Sequence, residues 1–137
     1  KGNYFSYRKS VPFSHLIYPL PSQGGLGVHL TLDMAGQPKF GPDEQPVEDI
    51  DFAIDAERAA CFAAAIEEYW PGCDVRYLSP DYAGVRPKLK HHGIVVKDFV
   101  FLQSRGNSGA EVLSLLGMES PGLTSSLAIA EYVFSLA

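Results

Sequence analysis

The sequence has little of what marks several specialised classes of protein. It contains 2 cysteines in 137 residues, which excludes a dense disulfide scaffold. Positive charge is also scarce, since 11 Lys and Arg face 16 Asp and Glu for a net charge of -5, the wrong sign for neutralising phosphates. No apolar run approaches the roughly 18 residues that cross a bilayer. We therefore expect neither a nucleic-acid-binding protein nor an integral membrane protein.

The composition is otherwise that of a folded globular chain, with 46% hydrophobic and 12% aromatic residues. A chain of about this length buries roughly two-thirds of its unfolded surface, so its 8 Phe and 7 Tyr can form a core without a metal or a disulfide. Cys61 and Cys73 match no metal-binding spacing, and we expect ordinary core or surface thiols and no metal site. Because strand-like residues follow directly after Lys1, we expect a piece of a longer protein.

Residues 2–40 have the pattern of short strands joined by turns. Brief apolar runs are interrupted by proline and glycine, which predicts a meander of β-strands. Apolar residues at 28, 30 and 32 alternate with His29, Thr31 and Asp33. One strand face is therefore apolar and the other carries an imidazole, a hydroxyl and a carboxylate. That polar face is either solvated or lines a site.

A central helix is predicted after the acidic connector at 41–46. Asp55 can cap it, apolar residues follow at steps of three and four, and Pro71 ends it after Trp70. Beyond Pro80 the apolar runs at 94–96, 99–102 and 112–116 predict strands, either buried on both faces or paired as hairpins. Residues 123–136 predict a C-terminal helix so apolar that we expect protein on most of its sides. The predicted fold class is α+β, a largely antiparallel or mixed sheet with these two helices.

Three places could carry chemistry. The turn at 117–126 leads into a helix start whose free N–H groups favour an anion or a ligand carbonyl, although many helices begin this way without a ligand. Arg86 stands between Gly84 and Pro87 and can hold a carboxylate through two parallel hydrogen bonds; the alternative is a surface arginine paired with an acid of its own chain.

His29, on the polar strand face, is either a proton acceptor or a structural histidine. His91 and His92 indicate an exposed turn.

Seven segments, taken in order, resemble the C-terminal part of FAD-dependent oxidoreductases of the D-amino-acid oxidase superfamily. They are residues 1–5 (KGNYF), 16–21 (LIYPLP), 27–31 (GVHLT), 40–42 (FGP), 84–88 (GVRPK), 98–100 (DFV) and 119–126 (ESPGLTSS). Their shared order covers nearly the whole sequence, and the likeness is closest to the L-2-hydroxyglutarate dehydrogenases and oxidases.

The resemblance implies a two-part organisation. In that family a dinucleotide-binding domain with a G-x-G-x-x-G loop holds FAD, and an antiparallel sheet forms a substrate domain over the flavin. The sequence has no such loop. We therefore expect residues 1–85 to be the substrate-binding domain and 86–137 to return to an FAD-binding domain whose N-terminal part is absent, so that the isolated piece is inactive.

The resemblance also assigns roles to individual residues. It places Arg86 at the substrate carboxylate, Lys88 near the substrate, and His29 on the sheet facing the flavin as a base. Tyr82, an aromatic residue four positions before Arg86, is also expected near the substrate. The residues expected to touch the flavin are Val85, Gly117, Ser120, Pro121, Gly122, Leu123 and Thr124.

The implied activity is oxidation of a small 2-hydroxy acid such as 2-hydroxyglutarate, with hydride transfer to the flavin. An amino-acid or amine oxidase on the same scaffold and a non-catalytic partner-binding module are the alternatives. The electron acceptor is left open between oxygen and a membrane quinone. We expect a cytoplasmic location, because the sequence shows no disulfide framework.

Overall fold

In the computed structural model, residues 1–20 and 27–136 are described, and the chain divides into two compact units, Lys1–Val85 and Arg86–Ala137. Pro21, Gly24 and Gly25, which are among the residues that interrupt the predicted strands, lie outside the described residues. Each unit combines antiparallel strands with one α-helix. This confirms the predicted α+β class and the presence of a central and a C-terminal helix.

The first unit contains a four-stranded antiparallel sheet. Its strands are β1 (Gly2–Tyr7), β2 (His29–Leu32), β3 (Pro38–Gly41) and β4 (Leu78–Gly84), in the order β2-β3-β1-β4. The predicted meander over residues 2–40 is therefore wrong in strand order, since β1 lies between β3 and β4 and not beside β2. The central position pairs the backbone of β1 on both edges, which the meander would have left open on one side.

A tight turn built by Asp33 joins β2 to β3. Its Oδ1 accepts hydrogen bonds from the backbone N–H groups of Ala35 at 2.8 Å and Gln37 at 2.9 Å. Gly36 has a φ of +77°, a conformation that glycine adopts at little cost. The carboxylate of Asp33 serves this turn beyond the end of β2. The prediction that it shares the polar strand face with His29 and Thr31 is therefore wrong.

The central helix begins as predicted and ends earlier. Asp55 caps a 3₁₀ turn at Ala56–Arg58 by accepting a hydrogen bond from the N–H of Glu57, and α1 (Ala59–Glu67) follows. The N–H groups of Tyr69 and Trp70 both bond to the carbonyl oxygen of Ile66, so the chain tightens into a turn three residues before the predicted end at Trp70. The residues that α1 buries are Phe62, Ala63 and Ile66.

The core of the first unit lies between α1 and one face of the sheet. Its fully buried apolar side chains are Phe5, Phe40, Phe62, Leu30 and Ile66. The rings of Phe5 and Phe62 join strand to helix with centroids 4.5 Å apart. Since Phe5 pairs with Phe40, and Phe40 with Leu30, all three strands turn these residues toward α1. Their neighbours in sequence turn to the opposite side.

A polar cluster ties the acidic connector to the sheet. Asn3 is fully buried, and its backbone N–H and its Nδ2 both donate to Oδ1 of Asp43, at 2.8 and 2.9 Å. The other carboxylate oxygen of Asp43 accepts from Nε of Arg58 at 2.8 Å and from its Nη2. The charge of Asp43 is thus compensated where the connector leaves β3, which orders a segment that the sequence indicated only as a linker.

Replacing Gly41 with alanine is expected to lower the free energy of unfolding by about 2 kcal/mol or more. Gly41 has a φ of +140°, and an added Cβ would lie 2.7 Å from the carbonyl oxygen of Asn3 and 2.7 Å from Cδ1 of Tyr4. Gly84→Ala is the matched control, because no described atom lies within 4 Å of its Cβ position. Urea unfolding of both variants in the full-length protein measures the difference, and equal midpoints would contradict the prediction.

The second unit consists of two hairpins and a helix. β5 (Lys90–His91) pairs with β6 (Ile94–Val95), and β7 (Val100–Arg105) pairs with β8 (Glu111–Leu116). This confirms the hairpin alternative and the exposed turn at His92. The strand predicted at 99–102 extends further than expected, because Ser104 and Arg105 continue β7 opposite Val112 and Glu111.

The C-terminal helix, α2 (Ser126–Leu136), begins three residues later than predicted. Residues 120–125 form turns instead, closed by bonds from the N–H of Ser125 to the oxygen of Pro121 and from Ser126 to Leu123. Leu127 and Phe134 of α2 are 81% and 85% exposed. The expectation that protein covers most sides of this helix therefore stays a prediction. Among the described residues, neither helix has the length and hydropathy of a bilayer crossing.

Candidate functional site

His29 lies on the sheet face that points away from α1, which we call the open face. It is formed by Tyr4, Ser6, His29, Thr31, Lys39, Gly41, Ser79, Asp81 and Tyr82. His29 is 6% exposed, and its ring stacks on that of Tyr18 with centroids 4.0 Å apart. The strand alternation therefore predicts the side of the sheet correctly, and the structure adds that the imidazole is shielded from solvent.

A row of residues crosses the open face from β2 to β4. His29 pairs with Gly41, and Gly41 is followed across the sheet by Tyr4, since Phe40 pairs with Phe5. The ring of Tyr4 lies over Gly41, whose missing Cβ leaves it room, and stacks on Tyr82 with centroids 4.3 Å apart and planes at 10°. The predicted proton acceptor and the predicted substrate residue Tyr82 thus lie at the two ends of one row.

A bulge in β4 brings Tyr82 into this row. Asn3 pairs with Ala83 and Phe5 with Pro80, with a register shift between them, so two residues of β4, Asp81 and Tyr82, stand opposite one residue of β1. A bulge of this kind redirects side chains. Here Tyr82 reaches Tyr4 and Asp81 reaches Lys39 on β3.

Lys39 is a residue of the open face that the sequence reasoning missed. It pairs with Thr31 of β2 and with Ser6 of β1, and its Nζ lies 2.9 Å from Oδ2 of Asp81 and 5.5 Å from the ring centre of Tyr82. The hydrogen bond to Asp81 raises the pKa of Lys39 above its ordinary value. Its alternation with the apolar Phe40 indicated a residue on a polar strand face. Gly36 and Pro38, however, favoured a turn for this segment.

Arg86 is exposed and is the first residue of the second unit. Within residues 86–136, the ion pairs formed are Lys88 with Glu119 and Arg105 with Glu111, so no carboxylate of its own unit holds the Arg86 guanidinium. Whether Arg86 binds a ligand carboxylate or pairs with an acid of its own chain stays a prediction. Val85 ends the first unit. His29 and Arg86 belong to different units, so the expectation that both act on one substrate stays a prediction.

The turn before α2 forms a pocket of about 340 Å³. Its lining residues are Met118, Glu119, Ser120, Pro121, Leu123 and Thr124. The two glycines at 117 and 122 shape it: Gly117 has a φ of +67°, and a Cβ on Gly122 would lie 2.8 Å from the carbonyl oxygen of Glu119. Most of the seven residues predicted to touch the flavin therefore lie in this one concave turn.

The pocket offers hydrogen-bond donors, and the charge of Glu119 in its wall is compensated by Lys88. The backbone N–H groups of Leu123 and Thr124 make no hydrogen bond to the residues that the structure describes, and both stand at the positive end of α2. Lys88 donates from Nζ to Oε2 of Glu119 at 2.6 Å. A carbonyl oxygen fits this set of donors better than a full anion does, because the Glu119 carboxylate also lines the pocket. A carboxylate that approached Lys88 would have to compete with Glu119.

A larger hollow of about 560 Å³ lies beside α1 and away from the predicted residues. Alanines of α1 form much of its wall together with Cys73. Burial raises the pKa of the Cys73 thiol to about 11, so the thiol is protonated and unreactive near neutral pH. Both cysteines are free, and Cys61 lies on the surface while Cys73 is buried.

Comparison with known proteins gives one family and two curated relatives. The family of FAD dependent oxidoreductases (DAO) matches residues 1–136. The mitochondrial L-2-hydroxyglutarate dehydrogenase of Arabidopsis thaliana is 39% identical over 145 residues, covering 97% of this chain and 30% of the relative. The protein of the same name from Pongo abelii is 35% identical over 118 residues, covering 82% of this chain and 25% of the relative.

These shares mean that the chain spans less than a third of the length of either relative. Both relatives are described as mitochondrial, so they lend no support to the cytoplasmic location that the sequence reasoning favoured.

Proposed function

Because the chain belongs to the FAD-dependent oxidoreductases of the DAO family, we propose that it contributes the substrate side of an enzyme that oxidises a small 2-hydroxy acid, 2-hydroxyglutarate in the first instance. The observation that carries this proposal is the open face, where a shielded imidazole, an aromatic pair and a lysine share one side of a sheet. The names of the two curated relatives support the substrate class.

The two units take different roles in this proposal. Residues 1–85 bind the substrate over the open face, and 86–137 return to an FAD-binding domain that is not part of this chain. The exposed apolar side chains of α2, Leu127 and Phe134, are suited to packing against such a domain, because large apolar surfaces are stabilised by burial.

The residues present fit the edge of a flavin ring. Leu123 and Thr124 would hold it through their unbonded N–H groups, which suit a ring carbonyl, and Gly122 would keep the turn close to it, since a side chain there meets backbone. When bound, FAD supplies the acceptor for the hydride that the substrate loses.

The chain's own residues would handle the acid and its proton. Arg86 holds the carboxylate next to the reacting carbon, because the guanidinium fork matches the two carboxylate oxygens. The imidazole of His29 takes the proton of the substrate hydroxyl, so that negative charge does not accumulate on the oxygen as the carbon is oxidised. Tyr18, stacked on His29, keeps water from the imidazole and fixes the plane of the ring.

A substrate panel on the full-length protein tests the proposal. We expect the purified protein to be yellow and to lose its flavin colour without oxygen when L-2-hydroxyglutarate is added, because a two-electron reduction bleaches the oxidised flavin. Amino acids at the same concentration should leave the colour unchanged. Bleaching by amino acids alone would instead favour the amine-oxidising alternative, and a colourless protein that cannot be reloaded with FAD would favour a binding module.

A further inference from the structure

We propose that Lys39 binds the distal carboxylate of the substrate and so makes the enzyme selective for dicarboxylic 2-hydroxy acids. The proposal rests on the proposed function and names the group that recognises the second carboxylate. The resemblance placed Lys88 near the substrate, but the structure pairs Lys88 with Glu119.

The position of Lys39 relative to His29 is the first support. Both residues point to the open face, and Lys39 lies two residues along β3 from Gly41, the partner of His29. Diagonal neighbours of this kind have Cα atoms about 7–8 Å apart. A short dicarboxylic acid whose hydroxyl meets the imidazole can therefore place its far carboxylate near the lysine.

The charge of the open face is the second support. Of the described residues in strands β1 to β4, Lys39 is the only Lys or Arg. Within these strands, Lys39 is therefore the cation available to an anionic group that binds over the open face. The side chain is 28% exposed, so its ammonium is partly removed from water and attracts a carboxylate more strongly than a fully solvated lysine would.

Asp81 and Tyr82 fix the position of the Lys39 ammonium and influence how strongly it binds the substrate carboxylate. The ammonium bonds to Asp81 at 2.9 Å and lies toward the face of the Tyr82 ring, a position that favours a cation. The hydrogen bond to Asp81 raises the pKa of Lys39, so it stays charged near neutral pH. Asp81 also carries the same charge as the substrate carboxylate and competes with it for the ammonium.

Two substrates and two substitutions test this proposal in the full-length enzyme. The substrates are L-2-hydroxyglutarate and L-2-hydroxypentanoate, which have the same carbon chain with and without the second carboxylate. Lys39→Met keeps most of the side-chain volume and removes the charge. We expect KM for the dicarboxylate to rise about 10- to 100-fold, the loss of one charged hydrogen bond, while KM for the monocarboxylate changes less than about twofold.

Asp81→Asn should act in the opposite direction. Removing the competing charge while keeping a hydrogen-bond acceptor for Lys39 is expected to lower KM for the dicarboxylate by about two- to fivefold, as for a partly exposed ion pair. Lys39→Arg should restore most of the selectivity that Lys39→Met removes. Lys9→Met is the matched control, because Lys9 lies outside the four strands, over the ring of Tyr77, and should alter neither KM.

The outcomes separate this proposal from the function on which it rests. If Lys39→Met changes KM for both substrates equally, or for neither, the role of Lys39 is overturned while the oxidation of 2-hydroxy acids stands. If the unsubstituted enzyme oxidises neither acid, the proposed function itself fails. Thermal unfolding of each variant shows whether a change in KM accompanies a loss of folded protein.

Discussion

Replacing His29 with alanine in the full-length protein is expected to lower kcat for a 2-hydroxy acid by about 10²- to 10⁴-fold, the usual contribution of a positioned base. The imidazole is 6% exposed on the open face and covered by Tyr18, so water cannot readily take over its task. Steady-state rates with the hydroxy acid measure the effect.

A packing role for His29 predicts different results. His29→Ala leaves a space beneath Tyr18, and free imidazole in the buffer should restore part of the rate if the ring acts as a base. Leu30→Ala serves as the control, because Leu30 is buried on the other face of β2: it should cost about 2–5 kcal/mol of stability without producing a rate that imidazole rescues. A His29→Ala variant whose hydroxy-acid oxidation is not restored by imidazole would show that the ring only packs.

Replacing Arg86 with alanine is expected to raise KM for the acid by about 100-fold or more, since a carboxylate loses two charge-assisted hydrogen bonds. The exposed guanidinium has no carboxylate partner within residues 86–136, so it can accept one from a ligand without breaking an ion pair in its own unit. Steady-state kinetics with the full-length enzyme, saturated with FAD, give KM and kcat separately.

Two further variants sharpen this test. Arg86→Lys keeps the charge without the planar fork and should give an intermediate KM. Arg105→Ala removes an exposed arginine from the same unit, where it faces Glu111 across the β7–β8 hairpin, and should change KM by less than about twofold. An unchanged KM in Arg86→Ala would exclude the carboxylate clamp, whatever the effect on kcat.

Local pattern predicted the helices and the orientation of His29. The Asp55 cap and the three- and four-residue spacing place α1 correctly to within three residues at its end, because both features act within one or two turns of backbone. The alternation around Leu30 places His29 and Thr31 on one side of β2, because successive side chains of a strand point in opposite directions. These are properties of short segments, which fold the same way in many surroundings.

The role of Lys39 and the stacking of Tyr4 on Tyr82 could not be predicted from local sequence pattern. Tyr4 and Tyr82 stack across β1 and β4, which meet only after the chain has passed through β2, β3 and α1. The bulge that redirects Asp81 and Tyr82 exists only in the pairing of β4 with β1. Lys39 acquires its partners through that pairing, so its segment alone offers no sign of a binding role.

The amino-acid sequence by itself determined the two helices, several of the strands, the two faces of β2, and a motif order shared with one family of oxidoreductases. The tertiary structure decided which strands are neighbours, that Asp33 serves a turn, and that a lysine from β3 joins His29 and Tyr82 on one face. The physical reason is that turns, caps and side-chain alternation depend on neighbouring residues. Strand order and register depend on contacts between distant segments, and these are set only when the whole sheet packs against α1.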